Sequence, residues 1–236
     1  MNPSYHRLFI EETRSEYRTP AQVDRDRIQY ASALARLAEV TQVVSADRGY
    51  VFHNRLTHSY KVAQLARRLA EKLSTEQPDE AQAIGGLNPD VAEAAALAHD
   101  LGHPPFGHIA EKELDICVRQ EAKVRDGFEG NAQSFRIVTK LAVGDVLLAN
   151  NPGPVRGLNL SQATLNAILK YPWLYDGHPS KKDKWGAYET ERHEFEWARQ
   201  AHSFDALSKS VEAELMDWAD DITYAVHDLG DFCVFR

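Results

Sequence analysis

The ten residues from His99 to His108 carry most of the side chains in this sequence that could do chemistry. They read HDLGHPPFGH, so three imidazoles and a carboxylate follow directly on an alanine-rich stretch. Imidazole and carboxylate groups bind divalent metal ions, and a hydrolytic metal site combines such fixed ligands with open positions for water and substrate. The adjacent pair His99 and Asp100 therefore predicts two ligands of a hydrolytic metal site.

Further ligands must come from other parts of the chain. His58 begins a helix whose apolar side chains have helical spacing, so it can project from the helix start into a shared pocket. A lone histidine at a helix start is more often a cap or a surface residue, and this alternative stays open. An acid from a distant helix would complete the set, and Asp220 or Asp221 is the candidate. The apolar positions of the helix after His58 are Val62, Leu65, Ala66, Leu69 and Leu73.

The composition is that of an ordinary soluble globular protein. The 236 residues are 43% apolar and 26% charged, and the net charge of −8 argues against a broad surface for nucleic acid. Cys117 and Cys233 lack a CxxC spacing, which makes a disulfide framework or a cysteine-rich zinc site improbable. The same scarcity of cysteines predicts a location in the reducing cytoplasm. The polar N-terminal stretch does not look like a secretory signal, and the lack of a long apolar run predicts no membrane partner.

Helical periodicity dominates the chain, whereas alternating strand patterns are scarce. We therefore predict an all-α fold in a single domain over 1–236. A Gly/Pro-rich turn at 102–105 ends the alanine-rich helix, and 171–191 is predicted to be a long loop. The predicted helices cover 24–40, 91–98 with a start at Asn88 and Pro89, 107–124, a segment capped by Ser161 that stops before Pro172, and a last helix from about 208.

The last predicted helix presents a conflict. Its apolar stripe lies almost opposite Asp220, so periodicity alone assigns Asp220 to the solvent-exposed face. The stripe consists of Val211, Leu215, Trp218, Ile222, Ala225 and Leu229.

The order His58, His99–Asp100 and a late helical aspartate resembles the H…HD…D signature of the HD-domain metal phosphohydrolases. Further matches narrow the resemblance to the deoxynucleoside triphosphate triphosphohydrolases, or dGTPase-like proteins, over 23–231. The resemblance implies a helical HD bundle with the metal site between helices. The matching segments are DRDRI at 24–28, TQV at 41–43, NRLTHS at 54–59, HDLGHPPFGH at 99–108, FEGNAQ at 128–133 and ADDI at 219–222.

The resemblance also implies a ligand set and a cofactor. The metal aspartate of the family heads an Asp-x3-Tyr-x3-Asp pattern, which Asp220 forms with Tyr224 and Asp228 and which Asp221 does not. The implied cofactor is a divalent metal ion, Mn²⁺ or Mg²⁺ in the first place, with Fe, Co, Ni and Zn open. The implied metal ligands are His58, His99, Asp100 and Asp220.

Catalytic and substrate-binding residues follow from the same resemblance. His108 and Glu111, at i and i+3, match the catalytic pair; an isolated pair of this kind would be a solvated ion pair. Lys184 matches a lysine of a long loop, although this basic loop could be merely solvated. Glu129, Asn131 and Gln133 either line the pocket or cap a helix. The implied substrate-binding residues are Gln42, Arg55, His103, Lys184, Tyr224 and Asp228.

The implied reaction is attack of water on the α-phosphorus of a dNTP, which releases deoxynucleoside and tripolyphosphate. Two alternatives stay open: an HD phosphohydrolase acting on another phosphoester such as a nucleoside monophosphate, and a non-catalytic scaffold that binds nucleotide or single-stranded nucleic acid. The resemblance also implies a homo-oligomer and weak binding of single-stranded nucleic acid. We expect the sequence to lack the usual C-terminal extension of the family.

Overall fold

The computed structural model describes residues 5–9, 17–40, 54–84, 86–142, 157–200 and 205–234. These segments are helical and contain no regular strand; the β-pairing within them is limited to isolated bridges such as Arg7 with Ser161. The prediction of an all-α fold is confirmed. The helices are α1 Pro20–Gln29, α2 Ser32–Ala35, α3 Arg55–Glu76, α4 Pro78–Ala83, α5 Pro89–Ala98, α6 Gly107–Gln120, α7 Gly130–Arg136, α8 Gln162–Ile168, α9 Arg192–Arg199 and α10 Val211–Val234.

Helix α5 lies at the centre of the bundle and contacts α1, α3, α8 and α10. It starts as predicted, because the Asn88 side chain accepts a hydrogen bond from the Asp90 amide and Pro89 occupies the first turn. Its alanines have little side-chain volume, so neighbouring helices can approach closely on every side. The helix that ends at His99 is therefore held in a fixed position. Its buried residues are Val91, Ala92, Ala94, Ala95, Ala96, Leu97 and Ala98.

Helix α3 delivers His58 to the interior from its first turn. The Asn54 side chain accepts a hydrogen bond from the Thr57 amide and so fixes the start of the helix. The predicted apolar stripe faces the core: Val62 and Ala66 are buried, and the three leucines pack against the core while partly exposed.

The region predicted as one helix over 24–40 is broken. Helix α1 ends at Gln29, the short helix α2 follows, and a 3₁₀ turn completes the segment at Arg36–Glu39. The apolar residues Ile28 and Leu34 are buried on both sides of the break. Since no glycine or proline lies between α1 and α2, the sequence carries no local signal for this break.

Helix α6 follows the turn after His99 and Asp100 and has one buried side chain. It starts after Phe106, whose φ of 68° lies in the left-handed region, and it stops at Gln120 rather than near 124. Within α6, Glu111 has the only buried side chain. The helix thus turns one acidic residue inward.

Helix α10 corrects the prediction from periodicity. Asp220 is only 6% exposed, whereas Trp218 and Leu229 are 59% and 64% exposed. The predicted stripe is therefore wrong for Trp218, Ile222, Ala225 and Leu229, all of which are exposed. Helix α10 packs against α3, α5 and α8 through a face of small, polar and a few apolar side chains. The buried members of this face are Ala213, Leu215, Met216, Ala219, Asp220, Thr223 and His227.

Among the helices that the structure describes, none combines the length and the apolar character that a membrane span requires. The single domain over 1–236 stays a prediction.

Candidate metal centre

Three helices bring three predicted ligands together. His58 comes from the first turn of α3, His99 from the end of α5 and Asp220 from the middle of α10. One ligand atom of each lies within 4.8 Å of the other two, and all three residues are buried. Asp220 Oδ1 lies 2.9 Å from His58 Nε2 and 3.7 Å from His99 Nε2. Two imidazoles and one carboxylate thus converge on a single point.

The hydrogen bond of His99 determines which ring nitrogen faces this point. His99 Nδ1 lies 2.6 Å from the Ala96 carbonyl oxygen. Because a carbonyl can only accept, Nδ1 carries the proton and Nε2 presents a lone pair. This Nε2 is buried and has no hydrogen-bond partner in the described part of the chain. A buried acceptor of this kind beside a carboxylate fits a bound cation, so the residues fit a divalent metal ion.

The carboxyl group of Asp220 is held in its ionised form. Burial would raise its pKa, but the hydrogen bond from His58 and the neighbouring groups His99 and Lys170 lower the pKa below its usual range. Lys170 Nζ lies 3.1 Å from Asp220 Oδ2. Asp220 therefore presents a charged oxygen, the form in which a carboxylate binds a metal ion.

Asp100 lies beside the three converging residues. Its Oδ2 accepts a hydrogen bond of 2.6 Å from Arg55 Nη1 and lies 3.6 Å from His99 Nε2. Burial acts to raise the pKa of Asp100, but His99, Arg55 and His103 lower it to about 2. The carboxylate is thus ionised and paired with Arg55, and its role as a fourth ligand stays a prediction.

A second group of predicted residues lies at the start of α6. His108 Nδ1 lies 2.8 Å from Glu111 Oε2, and Glu111 Oε1 accepts a hydrogen bond of 2.9 Å from the Gly130 amide. The His108 side chain is 73% exposed, whereas that of Glu111 is 10% exposed. Burial would raise the pKa of Glu111, but His108, Gly130 and Lys184 lower it. The pair therefore consists of a fixed anion and an accessible imidazole.

His103 connects the two groups. Its ring stands edge-on to that of His108, with centroids 5.1 Å apart. Burial lowers the pKa of His103 to about 4 with help from Arg55, although Asp100 and Glu111 act in the opposite direction. His103 is therefore neutral at pH 7 and offers both a donor and an acceptor nitrogen.

Lys184 reaches this second group from the long loop. Its Nζ lies 3.1 Å from Glu129 Oε1 and 3.4 Å from Glu111 Oε1. Burial acts to lower the pKa of Lys184, but Glu129 and Glu111 raise it. Glu129 also accepts hydrogen bonds from the Asn131 and Ala132 amides, so it caps α7 and holds Lys184 at once.

The remaining predicted contacts are only partly described. The Tyr224 ring packs on the His58 ring with centroids 4.6 Å apart. The backbone of Asp228 lies in α10, but its side chain is outside the description, and Gln42 lies outside the described residues altogether. The roles of these three residues stay predictions.

Sequence reasoning missed two charged residues behind Asp220. Lys170 Nζ lies 2.7 Å from Asp217 Oδ1 as well as close to Asp220. Asp217 precedes Asp220 by three residues, a spacing that could have been noticed because it places both on one side of a helix. Lys170 lies just after α8 and belongs to none of the sequence motifs described above.

Comparison with known proteins gives the class first. The family profile described as HD domain matches residues 55–156, which contain His58, His99 and Asp100. The chain therefore contains an HD domain, and the matched segment includes the ends of α3 and α5 that meet α10.

Curated relatives narrow the class. The chain is 43% identical over 211 residues to a deoxyguanosinetriphosphate triphosphohydrolase-like protein of Corynebacterium efficiens, an alignment that covers 88% of this chain and 44% of the relative. Proteins of the same description in Streptomyces coelicolor and Caulobacter vibrioides are 42% and 40% identical over 91% and 94% of this chain, and 47% and 49% of their own lengths. The chain belongs to the dGTPase-like family of HD-domain proteins, and it spans about half the length of these relatives.

Proposed function

We propose that this protein is a metal-dependent phosphohydrolase that converts deoxynucleoside triphosphates to deoxynucleoside and tripolyphosphate. The observation that carries the proposal is the convergence of His58, His99 and Asp220 in a buried group whose donor set suits a divalent metal ion. The relatives are described as deoxyguanosinetriphosphate triphosphohydrolase-like proteins, and this description supports the choice of substrate.

The metal ion would be held by His58, His99 and Asp220, with Asp100 as the fourth residue. When bound, it supplies a Lewis acid that polarises a phosphoryl oxygen and lowers the pKa of water. Mn²⁺ and Mg²⁺ are our first choices, and the mixed imidazole and carboxylate donors also suit Fe, Co, Ni and Zn.

We assign proton transfer to His108 and Glu111. In the proposed reaction a bond forms between the water oxygen and the α-phosphorus, and the bond from that phosphorus to the 5′ oxygen breaks. The water releases a proton to the solvent, and the 5′ oxygen gains a proton from His108. Glu111 is held by the Gly130 amide and orients His108 through Nδ1, so the accessible Nε2 of His108 is free to face the leaving oxygen.

The negative charge of the triphosphate must be balanced locally, because the protein as a whole carries a net charge of −8. We assign the phosphates to the cations Arg55 and Lys184, with neutral His103 as a hydrogen-bond donor; all three lie beside the metal centre or the pair His108–Glu111. The sugar and the base are assigned to Gln42, Tyr224 and Asp228 on the family pattern alone.

Product identification tests this proposal. Purified protein is incubated with each dNTP, with GTP and with dGMP, in Mn²⁺ or Mg²⁺, and the phosphate products are separated. We expect tripolyphosphate from dNTPs and none after His99→Ala or Asp220→Ala. Orthophosphate from dGMP would favour a different phosphoester substrate, and nucleotide binding without any product would favour a non-catalytic scaffold. Homo-oligomer formation, single-stranded nucleic acid binding and a cytoplasmic location stay predictions from the sequence.

A further inference from the structure

Lys170 lies between two carboxylates of α10 that are one helical turn apart. Its Nζ is 2.7 Å from Asp217 Oδ1 and 3.1 Å from Asp220 Oδ2. Asp217 is also paired with Lys209 through its other oxygen, Oδ2. The side chains of Lys170 and Asp217 are each 19% exposed, so this chain of charges lies largely inside the protein.

The contacts divide the two oxygens of Asp220 between different partners. Oδ2 accepts the hydrogen bond from Lys170, while Oδ1 faces His58 and His99. A carboxylate with a single partner can rotate about its terminal bond, but one held at both oxygens cannot. Lys170 therefore fixes which oxygen points at the two imidazoles.

We propose that Lys170 and Asp217 are positioning residues for Asp220, so that Asp220 binds the metal ion through Oδ1 alone. Asp217 holds the Lys170 ammonium in place, and the ammonium holds Oδ2. This inference rests on the proposed metal site. Groups that orient metal ligands from behind change metal affinity by about 10- to 100-fold when they are removed.

Simple electrostatics predicts the opposite sign, which makes the inference testable. An ammonium group next to a metal site repels the metal ion, so removing it should tighten binding if charge alone mattered. If Lys170 positions Asp220, its removal should weaken binding instead.

The measurement is the affinity of the full chain for Mn²⁺ by isothermal titration calorimetry. We expect Lys170→Met to weaken binding about 10-fold or more and Lys170→Arg to restore most of the affinity. Lys170→Met leaves two carboxylates without their shared cation and could for that reason fail to fold. Asp217→Asn is therefore the second variant, because asparagine keeps the shape of the side chain and one acceptor oxygen. We expect it to weaken binding by a smaller factor, on the order of 3-fold to 10-fold.

Arg67→Met is the matched control, since Arg67 bridges Asp90 and Glu93 far along α3 from His58. It should lower stability and leave Mn²⁺ affinity unchanged. If wild-type protein binds Mn²⁺ and Asp220→Asn does not, but the Lys170 and Asp217 variants bind as well as wild type or better, the inference alone is overturned. If wild-type protein does not bind Mn²⁺, the metal site and the inference both fail.

Discussion

At the scale of single residues, hydrogen bonds orient the side chains that we propose as metal ligands. The Ala96 carbonyl selects the His99 tautomer whose Nε2 has a lone pair. Lys170 binds Oδ2 of Asp220, so the other oxygen, Oδ1, faces His58 and His99. Such prior orientation lowers the free energy that would otherwise be spent on ordering the ligands during binding.

Glu111→Gln tests the assignment of the proton-transfer pair. The glutamine keeps an acceptor for the Gly130 amide but removes the charge that faces His108 and Lys184. We expect kcat for dNTP hydrolysis to fall by about 10²- to 10⁴-fold with a smaller change in KM. Asp115→Asn is the control on the same helix, because Asp115 pairs with Arg119. An unchanged kcat in Glu111→Gln would remove Glu111 from the mechanism.

The residues of the HDLGHPPFGH block could be predicted because their types and spacing are themselves unusual. Lys170 could not, since its role depends on where the end of α8 meets α10 and no local pattern encodes that contact. Glu129 was predictable in part. The sequence allows it either to cap a helix or to line the pocket, and the structure shows the cap. Its contact with Lys184 depends on the fold and has no signal in the sequence.

At the scale of elements, the turn after His99 and Asp100 depends on a close approach. A Cβ at Gly102 would lie 2.3 Å from the Gly130 carbonyl oxygen and 2.3 Å from the Ser134 amide nitrogen. The Gly102 amide also donates a hydrogen bond to Ser134 Oγ, which in turn donates to the His99 carbonyl. The loop that carries the metal pair is thus seated on α7.

Gly102→Ala should therefore destabilise the protein and displace the metal pair. We expect a loss of about 1–3 kcal/mol in the free energy of unfolding, measured in urea, together with weaker Mn²⁺ binding. Pro105→Ala, an exposed position in the same turn, is the control and should change neither quantity much. Wild-type stability in Gly102→Ala would mean that the turn does not pack on α7 as described.

Helix α10 explains why periodicity gave the wrong face. Apolar periodicity identifies a buried face only when the helix packs against an apolar surface, whereas α10 meets the polar site around His58. The fold class and the helix start at Asn88 depend on local chemistry and were predictable. The face of α10 and the break between α1 and α2 depend on packing between distant segments and were not.

Two substitutions on α10 separate the faces. Met216 is fully buried and Trp218 is 59% exposed. We expect Met216→Ala to lower the free energy of unfolding by about 2–5 kcal/mol and Trp218→Ala to lower it by roughly 1 kcal/mol or less. Chemical denaturation of both variants measures the two losses in the free energy of unfolding. A larger loss for Trp218→Ala than for Met216→Ala would mean that the face predicted from periodicity is the buried one.

At the scale of the whole molecule, the proposed metal site joins three helices that are distant in sequence. A ligand that binds the folded chain and not the unfolded one stabilises the whole fold. With His58, His99 and Asp220 on α3, α5 and α10, a bound ion would crosslink the centre of the bundle.

Mn²⁺ should therefore raise the melting temperature, and a chelator should reverse the effect. At 100 times its dissociation constant the ion adds about 2.7 kcal/mol, roughly 5–10 °C for a chain of this size. Differential scanning calorimetry measures the shift, and Asp220→Asn should abolish it. An equal shift in Asp220→Asn would place the bound ion elsewhere, for instance among surface acids.

The fate of the water oxygen tests the central claim most directly. Hydrolysis of dGTP in ¹⁸O-labelled water with Mn²⁺, followed by mass spectrometry of both products, locates the bond that breaks. Attack on the α-phosphorus predicts one ¹⁸O atom in tripolyphosphate, none in deoxyguanosine, and no reaction in His58→Ala or Asp220→Ala. Labelled dGMP or labelled pyrophosphate would show that the bond between the α- and β-phosphates breaks, and would contradict the proposed cleavage between the α-phosphorus and the 5′ oxygen.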